Sequence, residues 1–349
     1  MMNRLSKTSA GPLWSIIMDN GSQYKIAFVI VTYNAALYVR KCIESICTLF
    51  KPKLWSHEIV IADNASTDET RAILADIQRT VKGLRVILLD RNIGFGLANN
   101  VCFSAVSAQY YVLLNPDAWL LADSISPALE ALQRCPEIAV CGVPLVFPDG
   151  SPQTYTYSFS SWKKWLFQLL GLRTLAARLI RVRGVAALCA RLPYGREFVR
   201  SQSRSQLQIE HIKSAEYSGC VRLVDWVCGA AMIIDGDFVR EAGGFDPAIL
   251  LYGEDEDLCI KAYRRNRKVA VVDAAPVAHV FGWGKNRFNV RVADIKFESL
   301  RYFIRKNINR HGTRLLMGCL LPFYVYGRSR FYHVWLRRMR SNSCRARRR

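Results

Sequence analysis

The chain has 349 residues, 51% of them hydrophobic, and its 49 Lys and Arg against 28 Asp and Glu give a formal net charge of +21. At roughly 100 to 200 residues per domain this makes one large or two ordinary domains with ample apolar content for a core, which excludes disorder for most of the chain. No apolar run reaches the about 18 to 20 residues of a transmembrane helix, no secretory signal is legible in MMNRLSKTSAGPLWSIIMDN, and eleven cysteines without a CxxC argue against a disulfide framework or zinc ribbon. The expectation is a cytoplasmic chain with reduced thiols.

Charge is concentrated in two segments. Residues 161–213 carry eleven Lys and Arg against Glu197 and Glu210, and residues 301–349 carry fourteen and no acid, which leaves the remainder at −2. Two basic appendages on a near-neutral body imply an anionic partner, membrane phospholipid or nucleic acid.

After a leader, 1–24, the run IAFVIVTYNA (26–35) reads as a strand with a polar end, and residues 36–50 place Leu37, Val39, Ile43, Ile46 and Leu49 at helical spacing. EIVIADNASTD (58–68) repeats the scheme, with a helix over 69–79 capped by Ser66, Thr67 or Asp68. RVILLDRN (85–92) is a third strand, GFGLANNVCFSAVSA a third helix and YYVLLNPDAWL (110–120) a fourth strand. This alternation predicts an α/β fold, a mostly parallel sheet with helices on both faces, in which ligands bind at the carboxyl ends of the strands. Each strand ends in polar residues: Thr32, Tyr33 and Asn34; Asp63 and Asn64; Asp90, Arg91 and Asn92; Asn115 and Asp117.

Beyond residue 150 a basic insert (151–219) contains WKKWLFQLLGLRTLAARLIRVRGVAALCARL (162–192), which suits an interfacial membrane helix or one docked on the body with its arginines in water. RLVDWVCGAAMIID (222–235) reads as a continuous strand within a second half, 220–285, that carries the acidic run Glu254, Asp255, Glu256 and Asp257 and the strand KVAVVDAAPVAH ending at His279. Residues 286–349 are expected to be basic and helical, with a disordered tail.

Asp63 with Asn64 suits hydrogen bonding to a nucleobase or ribose, although Asn64, Ser66 and Asp68 also suit a turn and helix cap. NIGFGLANN has only part of a dinucleotide-binding glycine pattern. Asn115-Pro116-Asp117 either closes a turn or holds a divalent cation with a diphosphate. The acidic run either opens a helix or presents a general base, and a lone His such as His279 is commonly a packed or surface side chain.

Taken in order, TYN, DNASTD, DRNIGFGLANN, NPD and GGFDPAILLYGEDEDL make residues 26–284 resemble a family 2 glycosyltransferase of the GT-A, nucleotide-diphospho-sugar transferase fold. The combination of NxGFGxxxN, NPD, WVxGAAMxI and GGFD…EDxDL is similar to bacterial rhamnosyltransferases that use dTDP-rhamnose. The resemblance implies Asp255 as catalytic base, Mg²⁺ or Mn²⁺ at Asp117 with His279, and a base-reading Asp63. It further implies donor contacts from Thr32, Tyr33, Asn34, Asn64, Asn92, Gly94, Asn99 and Asn115, and acceptor contacts from Trp226, Gly229, Glu254 and Asp257. The chain departs from the family pattern at Gly253, where an aromatic is frequent, and at Asn115 in the first acidic place of the metal motif; no QxxRW of processive enzymes occurs. The expected activity is inverting transfer of L-rhamnose from dTDP-rhamnose to a lipid-linked or polysaccharide acceptor in cell-surface glycan synthesis such as O-antigen, at the cytoplasmic membrane face. A UDP-sugar donor is the alternative within the family, and a basic nucleic-acid-binding protein the alternative outside it.

Overall fold

A computed structural model of the chain describes residues 24–50, 55–169, 221–280 and 290–327. Strands and helices alternate at first: β1 (Tyr24–Thr32), α1 (Val39–Leu49), β2 (Trp55–Asp63), α2 (Thr70–Thr80), β3 (Leu84–Leu88), α3 (Phe95–Ala105) and β4 (Tyr110–Leu114). Shorter elements follow: β5 (Ala118–Leu120), α4 (Ser126–Arg134), β6 (Ile138–Gly142), β7 (Leu145–Val146), β8 (Pro152–Gln153), β9 (Thr156–Tyr157) and α5 (Trp162–Leu169). Next come β10 (Val221–Leu223), β11 (Trp226–Val227), β12 (Ala231–Asp235), α6 (Gly236–Ala242), α7 (Glu254–Tyr263), β13 (Lys268–Val272), β14 (Val277–His279), α8 (Val290–Asn307) and α9 (His311–Pro322), which a π turn (Phe323–Gly327) extends.

The main sheet has the order β10-β13-β6-β12-β4-β1-β2-β3. Only β12 and β10 run against the other six strands. Because side chains alternate along a strand, β1 sends Ile26, Phe28 and Ile30 to one face and Ala27, Val29 and Val31 to the other, and all six are buried. One face packs against α1, α2 and α4; its α1 residues Val39, Cys42, Ile43 and Ile46 recur at i, i+3, i+4 and i+7. The other face packs against α3, α6 and α7 through Ala98, Cys102, Phe238, Leu258 and Cys259. Fully burying a Phe or Leu contributes about 1.5–3 kcal/mol, so two covered faces hold the strand tips rigidly. The described cysteines are free thiols.

Three apolar runs that read as single strands are divided. Residues 110–120 break at Asn115-Pro116-Asp117 into β4 in the main sheet and β5 in a second sheet of order β5-β14-β7-β8. Residues 222–235 break into β10, β11 and β12, and the 268–279 run leaves the main sheet between β13 and β14. Buried strands of either sheet are equally apolar, so hydropathy does not register the change of sheet.

A third cluster joins α5, α8, α9 and the π turn through Trp165, Ala293, Leu300, Ile304, Met317, Leu321 and Val325. Trp165 is 3% exposed and stacks on Tyr324 with centroids 4.6 Å apart. The start of the 162–192 stretch is therefore docked on the protein; its remainder, with the leader and the 328–349 tail, lies outside the described residues. No described helix is long and apolar enough to cross a membrane.

Candidate active site

At the carboxyl edge of the main sheet, the chain leaves β4 at Asn115, turns, and enters β5 with Asp117 at the bend. β5 pairs antiparallel with β14, His279 opposite Ala118, and the Val280 N–H donates to the Asp117 carbonyl at 3.0 Å. This pairing brings together two side chains far apart in sequence: His279 Nε2 lies 3.4 Å from Asp117 Oδ1, with both side chains largely buried. Asn115 Nδ2 is also 3.4 Å from Nε2. On the far side of the ring, Nδ1 faces Gln153 Oε1 at 2.8 Å. An amide oxygen there can only accept, which keeps a proton on Nδ1 and turns Nε2 toward Asp117.

The loop before β12 links this corner to the acidic run. Because Ala231 pairs with Leu114, residues 228–230 stand beside the β4 tip, and the Asn115 N–H donates to the Ala230 carbonyl at 3.0 Å. One residue earlier, the Gly229 N–H donates to Asp255 Oδ2 at 2.9 Å. Asp255 is the second residue of α7, and its Oδ1 is buried without a partner among the described residues. Burial pushes its carboxyl above the ordinary carboxylate range, and the Gly229 N–H offsets part of that effect. Glu254 is raised too, by burial first and the Asp255 charge second, and its Oε2 is likewise unpartnered among the described residues. The helix opens at Gly253, whose φ of 101° is a left-handed conformation that side chains resist.

The other two acids of the run are satisfied within the fold. Glu256 accepts from the N–H and hydroxyl of Ser160. Asp257, expected to contact acceptor, is 1% exposed and bonds Lys306 Nζ and Asn307 Nδ2, both at 2.8 Å, so it anchors α8. Trp226 stacks on Tyr157 at 4.4 Å and donates to the Ser158 carbonyl at 3.0 Å.

The residues expected to contact a donor hold one another. Asp63, expected to read a nucleobase, is fully buried and accepts from Thr32 Oγ1 at 3.0 Å, the Ser66 N–H at 3.1 Å and Arg71 Nε at 2.6 Å. Arg71 also donates to the Leu89 carbonyl at 2.7 Å, tying the tips of β2 and β3. Asn64 clamps the loop after β3 through the Asn92 side chain, the Gly94 carbonyl and the Ile93 N–H. A Cβ at Gly94 would lie 2.5 Å from the Leu250 carbonyl oxygen. Asn99 is buried on the Phe95 carbonyl, and Asn34, at φ 52°, accepts from the Thr67 N–H. Tyr33 remains 51% exposed at this edge. Asp68, in the turn before α2, accepts from both the N–H and the hydroxyl of Thr70, while the cap position itself is Glu69, which makes no side-chain cap bond.

Gln153, Arg71 and Lys306 complete these arrangements and were not singled out from the sequence. Only Gln153 had a local signal, the turn-forming PDGS before it.

Residues 27–191 match the family described as Glycosyl transferase family 2. This part of the chain is a family 2 glycosyltransferase domain. The N-acetylglucosaminyl-diphospho-decaprenol L-rhamnosyltransferase of Mycobacterium tuberculosis (strain H37Rv) is 24% identical over 262 residues, 72% of this chain and 74% of that protein. The teichuronic acid biosynthesis protein TuaG of Bacillus subtilis (strain 168) is 27% identical over 128 residues, 36% of this chain and 50% of TuaG. The match to the Staphylococcus epidermidis teichoic acid poly(glycerol phosphate) polymerase spans 14% of that protein, so the matched segments account for half or less of these two relatives. Among solved structures, GalNAc-T7 with UDP, GalNAc and Mn²⁺ superposes with a TM-score of 0.52 at 14% identity, over 87% of this chain and 55% of that one. The fold is GT-A.

Proposed function

We propose that the protein is an inverting glycosyltransferase that moves L-rhamnose from dTDP-L-rhamnose to a lipid-linked saccharide at the cytoplasmic membrane face, in the synthesis of a cell-surface glycan. The observation that carries the reading is Asp255 Oδ1: a buried carboxylate oxygen without a partner among the described residues, one loop away from the Asp117 and His279 corner. Such an oxygen is suited to take the proton of an acceptor hydroxyl. The hydroxyl oxygen then attacks the anomeric carbon, the bond to the donor diphosphate breaks, and the nucleoside diphosphate leaves.

The residues at the corner fit a divalent cation. No described group of three or more His, Cys, Asp or Glu could hold one, but Mg²⁺ and Mn²⁺ are commonly held by one or two protein groups plus phosphate oxygens. Asp117 and His279 Nε2 would be those groups, Gln153 orienting the imidazole, and the cation would neutralise charge on the departing diphosphate. The Asp63–Arg71 pair would shape the donor pocket by fixing the β2 and β3 tips. Donor choice rests on the 262-residue likeness to an L-rhamnosyltransferase.

The test is product analysis with a panel of dTDP- and UDP-sugars and a diphospholipid-linked saccharide. Transfer from dTDP-L-rhamnose that stops with EDTA is the expected result; transfer from UDP-sugars alone overturns the donor, and EDTA-insensitive transfer overturns the metal.

A further inference from the structure

Helix α9 has two apolar faces, and only one of them is packed. Met317 and Leu321 point inward to the cluster with Trp165, Leu300 and Ile304. On the opposite side Leu315 is 58% exposed and Leu316 39%, exposed Cys319 continues the stripe, and Phe323 follows at 64%. Single exposed apolar residues are ordinary, but these recur at helical spacing on one face. Arg305 and Arg310 are exposed beside the start of this helix. The sequence adds nine arginines between 328 and 349 and has no acid after residue 300.

We propose that this face of α9 seats the protein on an anionic phospholipid bilayer, Leu315, Leu316 and Phe323 entering the acyl boundary and Arg305 and Arg310 meeting the headgroup phosphates. An exposed apolar stripe in a segment that carries arginines and no acid from residue 301 onward complements such a surface. Nucleic acid would use the charge and leave the stripe in water. A second copy of the chain would set arginine against arginine.

The inference rests on the reading that the acceptor is lipid-linked, and it gives that acceptor a route. Helix α8, against which α9 packs, bonds Asp257 of α7 through Lys306 and Asn307. Its Ser299 hydroxyl also accepts from the N–H groups of Leu250 and Leu251, just before Asp255. The bilayer face is thus one helix removed from the proposed base.

Flotation of the full-length protein with phosphatidylglycerol or phosphatidylcholine vesicles, without donor, tests the proposal at low salt and at about 0.5 M salt, where exposed charge is screened. Wild type should float with the anionic vesicles and stay partly bound at high salt. Leu315→Gln/Phe323→Gln should bind at least about tenfold less at high salt, with an unchanged melting curve and unchanged transfer to a short soluble acceptor. High-salt binding equal to wild type would place the contact elsewhere and leave the lipid-linked reading intact. Wild type that stays unbound, binds only heparin, or forms a dimer dissociated by the double variant would overturn the proposal, whereas the donor panel judges the transferase reading independently.

Discussion

At position 229 only a hydrogen fits, since a Cβ would lie 2.5 Å from Asp255 Oδ1. Gly229→Ala should therefore turn the carboxylate away, lowering kcat with little change in donor affinity by calorimetry. Asp255→Asn keeps the shape and removes the proton acceptor, so turnover should fall by at least about 10²-fold while the melting curve survives. A general base works ionised, and burial raises the Asp255 pKa, so with Asp255 in that proposed role activity should decline on acidification at a pH above the ordinary carboxylate range of about 4. A pH profile of kcat/KM with its acid limb at or below that range would remove Asp255 from the role. The acidic run stood out in the sequence, because four adjacent acids need a reason to be together, while the choice of Asp255 among them came through the resemblance. Which of the four are held by Ser160 or by Lys306 and Asn307 was not legible, for those partners come from segments about 50 to 96 positions away.

Between elements, the Asp257–Lys306–Asp246 arrangement joins α7 to α8 and to the loop after α6, with Lys306 Nζ 2.8 Å from Asp257 and 2.6 Å from Asp246. Removing one partner of a buried pair leaves the other charge uncompensated. Lys306 is part-buried and Asp257 keeps its Asn307 bond, so Lys306→Ala is expected to cost about 1.5–3 kcal/mol in urea unfolding, and a loss under about 1 kcal/mol would show that α8 is held by its other contacts. The parallel half of the sheet was legible because hydrophobic period and polar tips agree there. The small sheet was not, because its strands of two or three residues carry no period, and the decisive register of His279 opposite Ala118 is a long-range pairing. The Asp117 and His279 corner was therefore reached through resemblance, and the β5–β14 pairing supplies its physical reason.

For the molecule as a whole, Glu254 and Asp255 matter beyond chemistry. A carboxylate whose folded pKa is raised favours the fold fully below its unfolded pKa, and that contribution is lost as pH rises through the folded value. Both acids are raised, so ionisation loosens the protein. Glu254→Gln should melt at a higher temperature than wild type at pH 8, and the gap should narrow toward pH 4. A gap that widens on acidification would mean that the charge is compensated by a group outside the described residues. The first turn of α7 is then a site where robustness and reactivity pull apart. A population of variants enriched only for heat tolerance should drift toward amides at 254 and 255, emerging well folded and catalytically silent.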